Sequence, residues 1–405
     1  MGQLAGPDFP DRLCLAVSGG GDSMAMLHLA AAWARIYGVA LTVATVDHGL
    51  RPDSGAEAAM VAAEARGLGL PHETLVWTGW DGRGNTQDAA RRARRALLAQ
   101  AARGAPVLMA HTRDDQAETV LLRLARGSGV DGLAAMADDA TAGGLRVLRP
   151  LLTEARSDLR HYLTVLNIPF VDDPSNDDTD YARVRMRALI GTEGLDTATL
   201  AATAAHMARA KDALQGLARD ALLRLSRPDP TAPGVVVWDR DGFAALPAET
   251  RLRLAAAALM AVVGAAYRPR LAPLEEAVDR ALSGGAAALA GGILVPHRDL
   301  LYVGREPQAV AQAEDVAGPQ CQWDTGWRLE GPEINGLTVR SLGAAGLDQV
   351  WGKPRPSAPR HVVTALPAIW DRERLVAFAP FGFGPAHRMV PPGSGEELTM
   401  ARLAH

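Results

Sequence analysis

Short apolar runs alternate with longer stretches of helical period through the first part of the chain. Residues 13–17, 41–46, 74–77 and 107–110 read as buried strands. Between them, 24–36, 56–66 and 88–102 carry apolar residues at helical spacing. This βαβα alternation predicts a doubly wound parallel sheet with helices on both faces, an α/β fold. Ser54 and Glu57 form an S-x-x-E capping box that starts the second helix.

A second pattern begins at Arg149-Pro150-Leu151-Leu152. It predicts a helix over 157–166, a short strand at 170–171 and a polar loop over 172–180. The chain is strongly helical over 195–225 and again around 249–263, with strand-like runs at 234–238 and 300–303. Residues 308–319 read as a linker, and the short apolar runs beyond them, separated by Gly and Pro, predict a small β-rich or α/β domain. The expected organisation is an α/β domain over 1–190, a mainly helical domain over 191–307 and a C-terminal domain over 320–405.

Composition narrows the class. A length of 405 residues suits two to four domains, and a hydrophobic fraction of 48% is ample for real cores. The opening residues lack a basic region followed by an apolar run, and no stretch approaches a membrane span, so a cytoplasmic protein without a membrane partner is expected. Cys14 and Cys321 are the only cysteines and lie far apart, which argues against a disulfide framework, a zinc knuckle or a redox pair. The net charge of −4 does not advertise a nucleic-acid binder, yet Arg91, Arg92, Arg94 and Arg95 cluster within five residues. That cluster is either a docking surface or a solvated helix face.

The strongest chemical signal is Leu13-Cys14-Leu15-Ala16-Val17-Ser18-Gly19-Gly20-Gly21-Asp22-Ser23, running straight into a helix. Glycines allow close backbone approach, and exposed N–H groups with the positive helix end form an anion cradle. Ser18 and Ser23 add hydroxyl donors, and Asp22 can orient a metal ion held by phosphates. A Walker A loop is excluded, because the lone Gly352-Lys353 sits in a Pro-rich stretch; a dinucleotide fingerprint is excluded by Met24 in the place of the third glycine. A purely structural turn is the alternative. Further on, His111, Asp114, Asp115 and Glu118 fall at i, i+3, i+4 and i+7, on one face if the helix extends back to His111. Crowded acids repel unless a cation neutralises them, and Mg²⁺ with a nucleotide or an ammonium-bearing substrate would serve. A transition-metal site is the rival, but no second histidine lies at ligand spacing.

The loop resembles the PP-loop SGGxDS of the N-type ATP pyrophosphatases. Within that class three further segments resemble the tRNA(Ile)-lysidine synthetase family. They are Val46-Asp47-His48-Gly49-Leu50-Arg51-Pro52-Asp53-Ser54; His111 to Thr119 with Arg126-Gly127; and Arg149-Pro150-Leu151-Leu152 with Arg156, then Asp173-Pro174-Ser175-Asn176. Asn85-x-Gln87 followed by Ala90-Arg91 is similar to a fourth. The resemblance is dense over about 13–190 and thins afterwards. Two departures stand out: Arg95 occupies a place usually held by tyrosine, and Val184 replaces the asparagine of RNRxR.

The resemblance implies ATP bound by Ser18, Gly19, Gly20, Gly21, Asp22 and Ser23 with Asp47 and His48, and Mg²⁺ held at Asp22. It implies a reaction centre of Asp22, Arg91, His111, Asp114 and Arg156. Asp115 and Glu118 would recognise free L-lysine, and Arg183, Arg185 and Arg187 would hold RNA or phosphate. The implied substrate is isoleucine tRNA with a CAU anticodon, whose wobble cytidine is adenylated and then attacked by lysine; a homodimer is compatible with this. A tRNA thiolase of the same fold would need several reactive or cluster-binding cysteines, which this chain lacks. A non-enzymatic nucleotide or RNA module would leave the acidic face unexplained. In the remainder, Arg209, Lys211, Arg219, Arg224 and Arg227, then Arg340, Lys353, Arg355 and Arg360, are expected to meet the tRNA body.

Overall fold

After a short helix α1 (Gly2–Ala5), the chain enters β1 (Arg12–Ala16), where Leu13, Cys14 and Leu15 are all buried instead of alternating. The reason is the sheet: β1 has parallel neighbours on both sides and helices above and below. In the computed structural model all residues are described except 7–8, 48, 50–53, 79–85, 143, 173–181, 332–333, 351–356 and 404–405. They form two compact units, Met1–Lys211 and Asp212–His405.

In the first unit the order continues α2 (Gly21–Tyr37), β2 (Ala40–Asp47), α3 (Ser54–Gly67), β3 (His72–Val76), α4 (Thr86–Ala102) and β4 (Val107–Met109). Then come α5 (Arg113–Leu124), α6 (Val130–Leu133), β5 (Asp139–Ala142), β6 (Leu145–Leu148), α7 (Arg156–Val165), α8 (Ala182–Thr192) and α9 (Thr197–Leu225), which runs on into the second unit. The sheet order is β3-β2-β1-β4-β6-β5. Every pairing is parallel except β5 with β6, because a short turn joins those two and permits a hairpin. The reversal of strand order between β1 and β4 is a topological switch point, and ligands of open α/β sheets bind outside the carboxyl ends of the strands there. The helix expected at 24–36 begins three residues earlier, directly after the glycine loop, and ends at Gly38 in the left-handed conformation. The strand expected at 170–171 is a single parallel bridge between Val171 and Gly20, and the continuous helix expected from 195 is preceded by the separate α8. Of the polar loop expected over 172–180, residues 173–180 lie outside the described residues.

The second unit contains β7 (Val236–Asp239), α10 (Arg240–Ala244), α11 (Ala248–Val263), α12 (Leu271–Leu282), β8 (Ala287–Leu289), β9 (Gly292–His297) and β10 (Leu300–Arg305), forming an antiparallel sheet β7-β10-β9-β8 beneath apolar helices. There follow β11 (Glu314–Asp315), β12 (Gln320–Trp323), β13 (Trp327–Glu330), β14 (Thr338–Ser341), α13 (Gly343–Gln349), α14 (Arg360–Val363), β15 (Pro367–Asp371), β16 (Arg374–Ala377), β17 (Arg388–Val390) and α15 (Gly395–Leu403). Two further antiparallel sheets result, β11-β14-β15-β16 and β12-β13-β17. The segment 308–319, read from sequence as a linker, is not one: it carries β11 and the buried Val316 inside this unit. One apolar cluster joins Ile293, Val295 and Tyr302 to Val316, Trp323 and Trp370. Several arginines expected at a tRNA surface have internal partners. Arg219 donates to the Leu403 carbonyl, Arg227 to those of Arg224 and Ser226, and the Arg340 guanidinium lies 3.9 Å from the centre of the Trp370 ring. Lys353 and Arg355 lie outside the described residues.

Candidate active site

The loop between β1 and α2 has the geometry of an anion cradle. Gly19 adopts φ +88°, a left-handed conformation, and its carbonyl accepts the Val171 N–H at 2.9 Å. Gly20 is the N-cap of α2 in an extended conformation, so the following N–H groups point out of the helix end. Ser23 ties the loop together: its Oγ donates to the Gly20 carbonyl at 2.9 Å and accepts the Ser18 N–H at 3.2 Å, with Ser18 Oγ 3.3 Å away. A Cβ on Gly20 would meet nothing closer than 3.8 Å, so that side of the loop is open. Asp47, at the carboxyl end of β2, accepts the Gly49 N–H at 2.8 Å; His48 lies outside the described residues.

On the other side of the switch point, β4 leads to α5. The helix does not extend back to His111. Thr112 is the N-cap, and a reciprocal capping box binds the Thr112 N–H and hydroxyl to Asp115 Oδ2 at 2.8 and 3.0 Å. A threonine three residues before an acid is the sequence signal for this boundary, and it lies within the charge pattern of the same segment. His111 therefore enters from the preceding loop, and Asp114, Asp115 and Glu118 from the helix. Burial drops the His111 pKa to about 4, against the pull of Asp115, so the ring is neutral at ordinary pH; its Nδ1 is buried without a partner.

Arg156, the first residue of α7, places its guanidinium among these acids. Its Nε donates to Asp22 Oδ2 at 2.9 Å, one terminal nitrogen donates to Asp115 Oδ1 at 3.1 Å, and the other lies 3.6 Å from Glu118 Oε1. Its own backbone N–H donates to Asp114 Oδ2 at 2.8 Å. The guanidinium is thus held by carboxylates. Arg187 of α8 donates Nε–H to the same Glu118 oxygen at 2.9 Å. Glu118 is 1% exposed, and its Oε2 and the Oδ1 of Asp22 are both buried without partners.

Charges set these groups apart. Burial raises Asp22 above the usual carboxylate range even though Arg156 opposes it. Burial acts on Asp115 too, but there the Arg156 guanidinium and the Thr112 N–H outweigh it, and the carboxyl falls below its ordinary value. Arg156 loses by burial and gains more from Asp115 and Asp22, so its pKa is raised. Of the remaining expected residues, Arg91 is exposed on α4 and within electrostatic reach of His111, as is Arg183 of α8; Arg185 is exposed on α8.

The arrangement can hold a polyphosphate at the loop, neutralise its metal at Asp22 and present a buried carboxylate to a cation. Among the described residues no group of three His, Cys, Asp or Glu side chains is placed to hold a metal, and no helix is long and apolar enough to cross a membrane. Cys14 is buried in β1, and Cys321 belongs to the second unit.

Comparison with known proteins agrees with this geometry. Residues 1–193 match the PP-loop domain family. The chain is similar to the tRNA(Ile)-lysidine synthase of Ruegeria pomeroyi, with 44% identity over 98% of this chain and 95% of that one. It is similar to the tRNA(Ile)-lysidine synthase of Bradyrhizobium diazoefficiens at 46% identity over 68% of this chain and 80% of that one. The same description fits a relative from Wolbachia pipientis wMel, 37% identical over 68% of this chain and 65% of that one.

Proposed function

The chain belongs to the tRNA(Ile)-lysidine synthase family, and on that premise we propose how the residues of its first unit divide the reaction. It is an ATP-using, tRNA-modifying PP-loop enzyme that forms lysidine. Its substrate is isoleucine tRNA with a CAU anticodon, together with ATP and free L-lysine. The wobble cytidine is unstacked into the cleft at the β1–β4 switch point. Its 2-carbonyl oxygen attacks the α phosphorus, and the bond to the β-phosphate oxygen breaks as pyrophosphate leaves. The lysine ε-amine then attacks ring carbon 2, the carbon–oxygen bond breaks, and AMP departs.

Ser18, Gly19, Gly20, Gly21 and Ser23 hold the β and γ phosphates through backbone and hydroxyl donors. Mg²⁺ would be held at Asp22 Oδ1, a buried oxygen without a protein partner, with phosphate and water completing its shell; a single carboxylate suits this ion, which rarely uses an all-protein cage. When bound it neutralises phosphate charge. Asp47, at the carboxyl end of β2, serves the nucleotide side, and the family resemblance assigns His48 to the nucleotide as well. Arg91 faces charge developing on the α phosphate. His111, neutral at ordinary pH, adds no positive charge beside the incoming ammonium, and Asp114 fixes the start of α7 through the Arg156 N–H.

The observation that carries the reading is Glu118 Oε2, a carboxylate oxygen buried without a partner one helical turn from Asp115 and beside Arg156. A buried unpaired acceptor is costly, and a lysine ammonium satisfies it. The amine must lose a proton before attack, since its pKa in water is about 10.4; His111 or a pocket carboxylate takes it. The test incubates the protein with ATP, Mg²⁺, labelled lysine and isoleucine tRNA bearing CAU. Label in the RNA is expected. ATP consumed without label entering the RNA defeats the proposal. Sedimentation of the same preparation reads whether the enzyme works as a homodimer.

A further inference from the structure

At the carboxyl end of the sheet and on α5 stand further arginines, Arg149 and Arg123, to which the reaction above gives no role. Arg149 stands directly after β6, at the carboxyl end of the sheet. One of its terminal nitrogens donates to the Ala137 carbonyl at 2.5 Å, and its Nε is buried without a partner. It is within electrostatic reach of Arg91 and Arg95, and burial with these two like charges lowers its pKa more than Asp138 and Asp139 raise it. Asp139 is itself engaged by Arg146, through bonds of 2.7 and 3.2 Å. Arg123, near the end of α5, donates to the carbonyls of Gly132 and Ala135 at 2.7 and 2.8 Å, and it too feels Arg91. Arg123 and Arg149 thus donate to backbone carbonyls, which anchor each side chain without cancelling its charge.

Like charges held together by the fold raise its energy unless an anion settles among them. The nucleotide triphosphate already has the glycine loop that follows β1, with its own donors. The arginines instead spread from α4 across the end of β6 to the last turns of α5, and Arg123 lies ten residues, roughly 15 Å, beyond the first residue of that helix. Such a row suits an anion with repeated phosphates. We propose that Arg95, Arg123 and Arg149 form a phosphate-binding track for the backbone of the anticodon loop next to the unstacked base. This rests on the reading of the chain as a tRNA-modifying enzyme. The track sets position and contributes affinity without reading sequence, while the cleft identifies the base. Anchored guanidiniums suit the task because little rotamer freedom is lost on contact.

The test uses the full chain with Arg95→Gln, Arg149→Gln and Arg149→Lys. Dissociation constants for isoleucine tRNA bearing CAU, and for an unrelated tRNA, are measured over a KCl series; binding of labelled ATP is measured without RNA. Each Gln variant is expected to weaken both RNAs three- to tenfold at low salt and to flatten the salt slope by about 0.7–0.9, the release expected per lost phosphate contact. ATP affinity stays within twofold, and Arg149→Lys restores the slope. Unchanged RNA slopes with weakened ATP binding would assign these arginines to the triphosphate and overturn the track. Unchanged RNA binding in every variant overturns it as well. If the parent enzyme instead binds RNA with the expected slopes yet never incorporates lysine, the lysidine reading fails and the track stands.

Discussion

Arg156 and Asp22, 134 positions apart in sequence, meet at 2.9 Å and join the phosphate loop to the acidic pocket. One guanidinium therefore couples the residue assigned to the metal with the two assigned to lysine. Its replacement tests whether the acids tolerate each other's company. Arg156→Ala leaves Asp22, Asp115 and Glu118 facing one another, and removing one partner of a buried pair costs about 3–5 kcal/mol. Urea denaturation should show this loss, and Arg156→Lys, a point charge without the fork, should recover only part of it. A midpoint unchanged in Arg156→Ala would mean the three carboxylates are not held by that side chain.

Glu118→Gln keeps the shape of the pocket and removes its charge. The lysine KM should rise by the equivalent of about 1.5–3 kcal/mol, the worth of a hydrogen bond to a charged group. Pyrophosphate release with tRNA but without lysine should persist. Collapse of that first step with an unaltered lysine KM would remove Glu118 from the lysine site.

The glycine loop separates strain from access. Gly19→Ala forces a side chain into φ +88° and brings a Cβ to 3.3 Å from the Met60 methyl, so stability should fall by about 1–2 kcal/mol. Gly20→Ala meets no protein atom closer than 3.8 Å and should fold normally, yet its methyl stands where phosphate oxygens approach. Equilibrium binding of labelled ATP is expected to fail in Gly20→Ala at parental thermal stability. Undiminished binding there would place the triphosphate elsewhere.

His111 gives the fold a pH dependence. Its pKa is about 4 when folded and about 6.5 when unfolded, so between these values the unfolded chain holds the extra proton. Stability contributed by the neutral ring is whole above pH 6.5 and declines as pH falls toward 4, by at most about 1.4 kcal/mol per unit. The raised pKa of Asp22 acts in the opposite sense, so the comparison is between the parent and His111→Gln at each pH. The variant should lose less stability than the parent over pH 6.5 to 4; parallel profiles would show that His111 titrates normally.

The sequence by itself determined the local elements and the identity of the chemistry. Apolar runs at 13–17, 41–46 and 107–110 have the length and composition of strands buried on both faces, and a strand, three glycines and a helix in succession present N–H groups at the turn. Those are short-range constraints of period and backbone freedom, so they survive without knowledge of neighbours. The boundary of α5 was equally local, fixed by Thr112 and Asp115. Tertiary structure alone decided what lies across space. Nothing near position 156 announces that its guanidinium will lie among Asp22, Asp115 and Glu118, or that Arg187 will share the last of these. Charge pattern along one helix counts only its own residues, whereas a cluster is neutralised by whatever the fold brings within a few ångströms. For the same reason 308–319 looked like a linker: its polar residues dominate the local pattern, while Val316 and β11 acquire their partners only when β14 arrives from later in the chain.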